Sequence, residues 1–350
     1  MRTLLVLDSF KYKTKKDVIN KGIFKGETDL YYTDYENRII KKLHGISFAG
    51  NFLSHLAYWF ISALSALLLV IKCRRRYTHM VFINPIVGFF YCMILPVRPT
   101  KCKIYLSGFL FIPKSGKLYF NLRKKLVRHS LKRVTTIFVY SVEEVKVYSD
   151  LFPDHKLKLK FIKYGRDFDI FAENEYETGD TYIASGGFSN RDYNVLTSAM
   201  SLLEGKYPGL TCKVATRPGS YSIEYQPGNI EFLFNIRIGK FGSFLEKSMF
   251  VVLPLSDTPL SAGHMTLLES MSRGKNIIVT DIPSVRDYVN DDLVFFYKAG
   301  DARDLADRIE YLYSNNHSPN LIRRSEKLKE VYNRTFDFTS FLERIATEIE

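Results

Sequence analysis

Short runs rich in Val, Ile, Phe and Tyr recur along this chain between longer stretches with helically spaced apolar residues, and no other feature restricts the fold as much. In the first half the runs fall at residues 3–7, 80–83, 103–106, 136–140 and 159–164. In the second they fall at 182–185, 212–215, 230–234, 250–253, 276–280 and 294–297. Strands alternating with helices form β-α-β units and hence parallel sheets. Two such series predict an α/β chain with two doubly wound, Rossmann-like domains facing across a cleft, and 350 residues is a length for about two domains.

The boundary is expected near residues 165–180, where a strand stops at Gly165-Arg166-Asp167 and an acid-rich, weakly apolar stretch at 173–180 follows. The expected domains are residues 1–168 and 169–336. The segment 318–350 reads as two helices broken around 334–337, with Asp337 or Thr339 capping the second. That last helix, about 337–350, is expected to pack back on the N-terminal domain.

Cys73, Cys92, Cys102 and Cys212 are isolated, with no C-x-x-C pair and no His at metal-ligand spacing, so reduced thiols and no structural zinc are expected. The first apolar run meets Asp8 too soon for a signal-peptide core and reads as a strand.

With 50 Lys+Arg against 37 Asp+Glu, the formal charge of +13 suits three partners: nucleic acid, an anionic membrane surface or a phosphorylated substrate. The cations gather at 72–76 and 123–133. Residues 52–71 carry no charged side chain and match a membrane span in length. Ser54, Ser62 and Ser65 within it, and flanking strands that need one shared sheet, favour a buried or interfacial helix over a spanning one. Residues 122–133 set Leu122, Leu126, Val127 and Leu131 among Arg and Lys, a pattern for a helix lying on an acidic bilayer or for a core-packed helix with a solvated basic face. Nucleic acid is not an expected partner, because most aromatic residues fall on strand positions rather than beside cations in a groove.

The most informative stretch is 254–281. A strand ends at Pro254, a loop with Ser261-Ala262-Gly263 opens a helix, and the helix closes at Gly274. Amides at that helix start, over Gly263, His264 and Met265, attract phosphate, and Gly263 lets a ligand approach the backbone. Ser261 and Thr266 add hydroxyls. Glu269, about two turns in, is placed to accept hydrogen bonds from ribose hydroxyls; read without a ligand, the same residues are a polar cap and a surface Glu.

This stretch resembles the nucleotide-sugar motif of the retaining GT-B glycosyltransferases of family 4 (glycosyl transferases group 1), through residues 267–271, Gly274 and 277–280. Ser261 stands where that family carries a first Glu; Glu269 matches its ribose ligand. Residues 185–196, from Ser185-Gly186-Gly187 through Arg191-Asp192-Tyr193, resemble the segment that supplies cations to the diphosphate, with Arg191 matching one cation and Phe188 replacing another. Residues 227–232 resemble the strand entry before the base loop, and 283–289 and 300–305 the closing pattern. Arg217, Asn235 and Arg237 follow strands and are candidates for base or phosphate contacts, or for ordinary turns.

The resemblance implies transfer of a sugar from a nucleoside diphosphate sugar to a glycan or polyprenyl-linked saccharide, with no obligatory metal and no cofactor beyond the donor. The expected setting is cell-surface polysaccharide synthesis at the cytoplasmic face of the membrane. His79, Asn84, Ser107 and Ser141 lie near strand ends, but none is assigned a catalytic role. A non-catalytic sugar-nucleotide-binding scaffold and a GT-B-fold epimerase, which needs proton-moving carboxylates or His, remain alternatives.

Overall fold

The computed structural model describes residues 1–7, 22–33, 48–73, 76–95, 101–109, 111, 116–168, 181–219, 222–223, 225–234, 236 and 238–349. The acid-rich stretch 173–180 and Arg74, Arg75, Asn235 and Arg237 lie outside the described residues. Contacts separate the chain into one unit of residues 1–140, 144–162 and 342–350 and a second of 141–143 and 163–341.

The first unit holds six parallel strands, β1 (Arg2–Leu7), β2 (Glu27–Tyr32), β3 (His79–Phe82), β4 (Lys103–Ser107), β5 (Thr136–Val139) and β6 (Leu159–Phe161), in the order β2-β1-β3-β4-β5-β6. Leu5 stands opposite Leu30 on one side and Val81 on the other, which fixes the central register. Five of the strands were expected, but β2 was not. It is an edge strand of sequence ETDLYY whose side chains are half-buried, so it lacks the apolar run that marks its neighbours.

The helices are α1 (Phe48–Cys73), α2 (Pro85–Ile94), α3 (Lys117–Leu131) and α4 (Val142–Leu151). The links β2 to β3, β3 to β4 and β4 to β5 all advance in one direction across the sheet. Right-handed crossovers therefore place α1, α2 and α3 on the same face, and α2 touches both of the others. Among the described residues no helix is long and apolar enough to cross a membrane. Instead, α1 buries one stripe, Ser62, Ala66 and Leu69, and leaves the opposite one exposed.

The second unit holds β7 (Ile183–Gly186), β8 (Cys212–Thr216), β9 (Ile230–Phe234), β10 (Val251–Leu253), β11 (Ile277–Asp281) and β12 (Phe295–Lys298), all parallel, in the order β12-β11-β10-β7-β8-β9. Its helices are α5 (Tyr193–Leu203), α6 (Ile238–Lys247), α7 (His264–Ser272), α8 (Pro283–Arg286), α9 (Ala302–Ser314) and α10 (Pro319–Thr335), followed by α11 (Phe338–Ile349). Val252, Ile278 and Tyr297 from the sheet pack with Leu196, Met200, Leu305 and Ile309 from α5 and α9 in one core cluster. Asp337 is the cap of α11, accepting from Ser340 N at 2.8 Å. In the first unit, Lys160 Nζ bonds Glu348 Oε2 at 2.5 Å.

Strand order reverses between β7 and β10. In open parallel sheets a ligand binds beyond the carboxyl ends of the strands at such a switch point, which directs attention to the loops after β7 and β10.

Candidate nucleotide-sugar site

Gly186 ends β7, and Gly187 follows with φ +111°, a conformation that favours glycine. A Cβ there would lie 2.7 Å from the Arg191 guanidinium carbon, so the glycine also makes room for that side chain. The Gly187 carbonyl accepts from Tyr193 Oη at 2.6 Å and Thr216 Oγ1 at 2.8 Å, tying the loop to α5 and β8. The chain then folds back. Arg191 forms an antiparallel bridge with Leu255, Asp192 N donates to Pro254 O at 3.0 Å, and Ser256 N donates to Asn190 O at 3.1 Å. These bonds join the loop after β7 to the loop after β10 and place Arg191 at the switch point.

The Arg191 guanidinium donates to Gly186 O at 2.9 Å, to Ser189 O at 2.8 Å and to Thr266 Oγ1 at 3.3 Å. Burial pulls its pKa below the usual arginine value, with Tyr193 opposing; an arginine starting from above 12 still keeps its proton. A fixed cation here is held by backbone carbonyls with no carboxylate among these three acceptors.

Helix α7 opens at Gly263, φ +76°, which brings no side chain to cap the first-turn amides. Its missing Cβ makes room for Leu255, which would otherwise stand 2.9 Å away. Ala262 is buried beside it, Ser261 is half-buried, and Met265 is exposed. Thr266 is buried in the first turn. The His264 imidazole does not join this group: Nε2 faces Ser284 O at 3.1 Å, the ring lies 4.2 Å from that of Tyr288, and burial pulls its pKa down to about 4. Only the His264 backbone amide stays with the helix start. Its neutral imidazole must carry the proton on Nε2 to bond that carbonyl.

Glu269 sits six residues beyond Gly263, with its carboxylate 3.7 Å from Arg273. Arg217 is exposed at the end of β8, its guanidinium 3.9 Å above the Phe188 ring. The structure thus brings together Gly187, Arg191, Gly263 and Thr266. It sets Glu269 farther along the same helix and Arg217 at the next strand end. Asn235 is outside the described residues. In the first unit, Ser107 and Asn84 lie at carboxyl ends, but His79 opens β3 at the opposite end, where it meets Thr78 Oγ1 at 2.9 Å. The Thr266–Arg191 bond was not readable in the sequence, because 75 positions separate the partners.

Residues 165–330 match the family model described as glycosyl transferases group 1. The chain carries a glycosyltransferase domain. Around it, the whole chain is similar in structure to solved proteins, among them the following three. A glycosyltransferase from Rickettsia africae is 15% identical, with 99% of this chain and 97% of that one covered and a TM-score of 0.59. HepE from Anabaena in complex with UDP is 11% identical, with 100% and 99% covered and a TM-score of 0.56. An α,α-trehalose-phosphate synthase (UDP-forming) from Burkholderia vietnamiensis is 10% identical, with 99% and 98% covered and a TM-score of 0.60. These likenesses establish the two-domain GT-B fold around the glycosyltransferase domain. No curated protein sequence matches the chain.

Proposed function

We propose that this protein transfers a sugar, with retention, from a nucleoside diphosphate sugar to a glycan or lipid-linked saccharide, as a family 4 enzyme of cell-surface polysaccharide assembly. The observation that carries the donor half is Arg191, built into the β7/β10 switch point beside an uncapped helix start. Both features stabilise anionic oxygens, and a diphosphate leaving group gains charge as its bond to the sugar breaks. The Arg191 cation and the α7 amides supply that stabilisation without a divalent ion in this reading. Glu269 accepts from the ribose, Gly187 and Gly263 admit the ligand to the backbone, and Ser261, Ala262 and Met265 line the approach. Arg217, held over Phe188, offers a second cation where the family resemblance places an arginine at 188. The UDP and UDP-glucose complexes of HepE make UDP the first base to test.

The setting at the inner membrane face is supported by the outer side of the α1–α3 layer in the first unit. Trp59 (48% exposed), Phe60 (71%) and Ile71 (70%) on α1 and Leu118 (86%) on α3 are presented outward. Among the 15 residues of α3 are Lys117, Arg123, Lys124, Lys125 and Arg128, and no acid. Apolar anchors amid cations suit an acidic lipid surface, where a lipid-linked acceptor resides.

Ser261 and Phe188, in place of an acid and a cation, favour a second reading, a scaffold that binds the donor without turnover. Thermal denaturation with UDP, GDP, ADP or CMP and their sugars tests the donor site, since a ligand at one hundred times its Kd stabilises the native state by about 2.7 kcal/mol. One nucleoside diphosphate should raise the Tm of the wild type and raise that of Glu269→Ala by much less. Absence of a shift with every nucleotide defeats the donor reading; a shift from UDP-glucose with no UDP released on adding lipid-linked saccharides selects the scaffold.

A further inference from the structure

Glu269 is held from below by a device that the motif does not contain. Arg273, one turn along α7, is only 6% exposed in its side chain, and its guanidinium spans two carboxylates. One terminal nitrogen bonds Glu246 Oε2 on α6 at 2.9 Å, and the other stands 3.7 Å from Glu269 Oε1. The guanidinium occupies this place because residue 242, mid-way along α6, is glycine. A Cβ there would lie 2.6 Å from Arg273 Cζ and 2.9 Å from Glu269 Oε1, and closer still to the Arg273 nitrogen that faces Glu269. Glycine inside a helix weakens it, so α6 keeps a residue that its own stability disfavours, at the point where α7 presents Arg273 and Glu269.

We infer that Arg273 is a positioning residue for donor binding, seated in the notch at Gly242, where it holds the Glu269 carboxylate in one orientation. The inference rests on the assignment of Glu269 to the donor. A glutamate has several rotamers to lose when a ligand binds. A neighbouring buried cation removes part of that loss beforehand, and such pre-organisation appears as affinity. Arg273 touches no ligand in this arrangement; it acts through Glu269. Glu246 anchors its other end and keeps the planar fork facing Glu269.

The test is UDP affinity, measured by calorimetry on the full chain for the wild type, Glu269→Ala, Arg273→Ala, Arg273→Lys, Gly242→Ala and the double variant Glu269→Ala/Arg273→Ala. Arg273→Ala is expected to weaken UDP binding about tenfold, within the range of such coupled charge pairs, and Arg273→Lys to restore part of it. In the Glu269→Ala background the Arg273 change should have no further effect. Gly242→Ala gives a separate reading that does not depend on the fate of the Arg273 variants: helix propensity improves, yet UDP affinity should fall. UDP affinity that is unchanged in both Arg273→Ala and Gly242→Ala, or that falls equally with and without Glu269, overturns the positioning role while leaving the donor site standing. A wild type that binds no nucleoside diphosphate overturns both. If Glu269→Ala binds as the wild type does, the ribose assignment fails, and the role of Arg273 with it.

Discussion

At the switch point of the second sheet, between β7 and β10, an arginine is held by carbonyls beside a helix start with no side-chain cap. At the switch point of the first sheet, between β1 and β3, the described polar groups satisfy one another. Asn84 caps α2 by accepting from Ile86 N and Val87 N and reaches Thr33, and Thr33 in turn donates to Leu7 O. One strand further on, Ser107 meets Tyr140 Oη at 3.2 Å. Among the described residues, two sheets with related winding thus differ in what remains for a ligand. The first unit places its unspent surface on the outer sides of α1 and α3 instead. A doubly wound sheet marks where a ligand can bind, and a fixed cation beside a helix start with no side-chain cap distinguishes the second such place from the first.

The largest effect should come from removing the cation at the second switch point. Arg191→Ala deletes a half-buried cationic donor that the bound diphosphate would cover, an effect of about 4 kcal/mol by comparison with truncations of desolvated charge pairs, or near a thousandfold in UDP affinity. Asn84→Ala should cost about 1 kcal/mol of stability through the lost cap and leave UDP affinity as it was. Calorimetry and urea denaturation read the two quantities. Equal losses of affinity would erase the contrast between the switch points.

The contrast also predicts that the first unit works through its surface. Replacing Lys117, Lys124 and Lys125 by Gln removes about 1 kcal/mol of attraction each near an anionic bilayer, roughly a hundredfold in partition. Co-sedimentation with phosphatidylserine vesicles measures it, and UDP affinity should not change. Salt should weaken wild-type binding in the same direction, because exposed charges are screened. Vesicle binding that survives both the substitutions and high salt would remove the electrostatic part of the argument. Trp59→Ser and Phe60→Ser then test whether the exposed apolar edge of α1 carries the rest.

The second unit was the more legible in sequence, for physical reasons. Its inner strands β7, β10 and β11 are buried on both faces and read as apolar runs; β11 is displaced by one residue from its expected bounds, and the more exposed edge strand β9 matches them. Gly263 and Gly274, at φ +76° and +63°, begin and end α7 where the sequence places them, because few other residues adopt that backbone. What was not legible depends on approach in three dimensions. The fit of Arg273 into the notch at Gly242, the Arg191–Thr266 bond and the inward turn of His264 are set by which helices meet, and no spacing along the chain encodes them. In the first unit, β2 hid behind its polar edge. The charge-free 52–71 stretch could not distinguish burial from exposure, since α1 is apolar on both its buried and its outer stripe.

A further expected effect is on the pH dependence of stability. His264 is buried against Tyr288 and Ser284 with its pKa lowered to about 4 from an ordinary 6.5, so between those values the unfolded chain takes up a proton that the folded chain refuses. Stability from this group is therefore complete above about pH 6.5 and declines as the pH falls toward 4, by about 2 kcal/mol between pH 7.5 and pH 5. Burial and nearby lysines also lower the pKa of His79 and His155 in the first unit, and these act in the same direction. The wild-type profile alone thus cannot assign the loss, but His264→Gln can, because Gln retains a donor for the Ser284 carbonyl and does not titrate. Urea denaturation at the two pH values should show the wild type losing about 2 kcal/mol more than His264→Gln. Parallel pH profiles for the two proteins would mean that the acid sensitivity belongs elsewhere and that the α7 start is no more acid-labile than the rest of the fold.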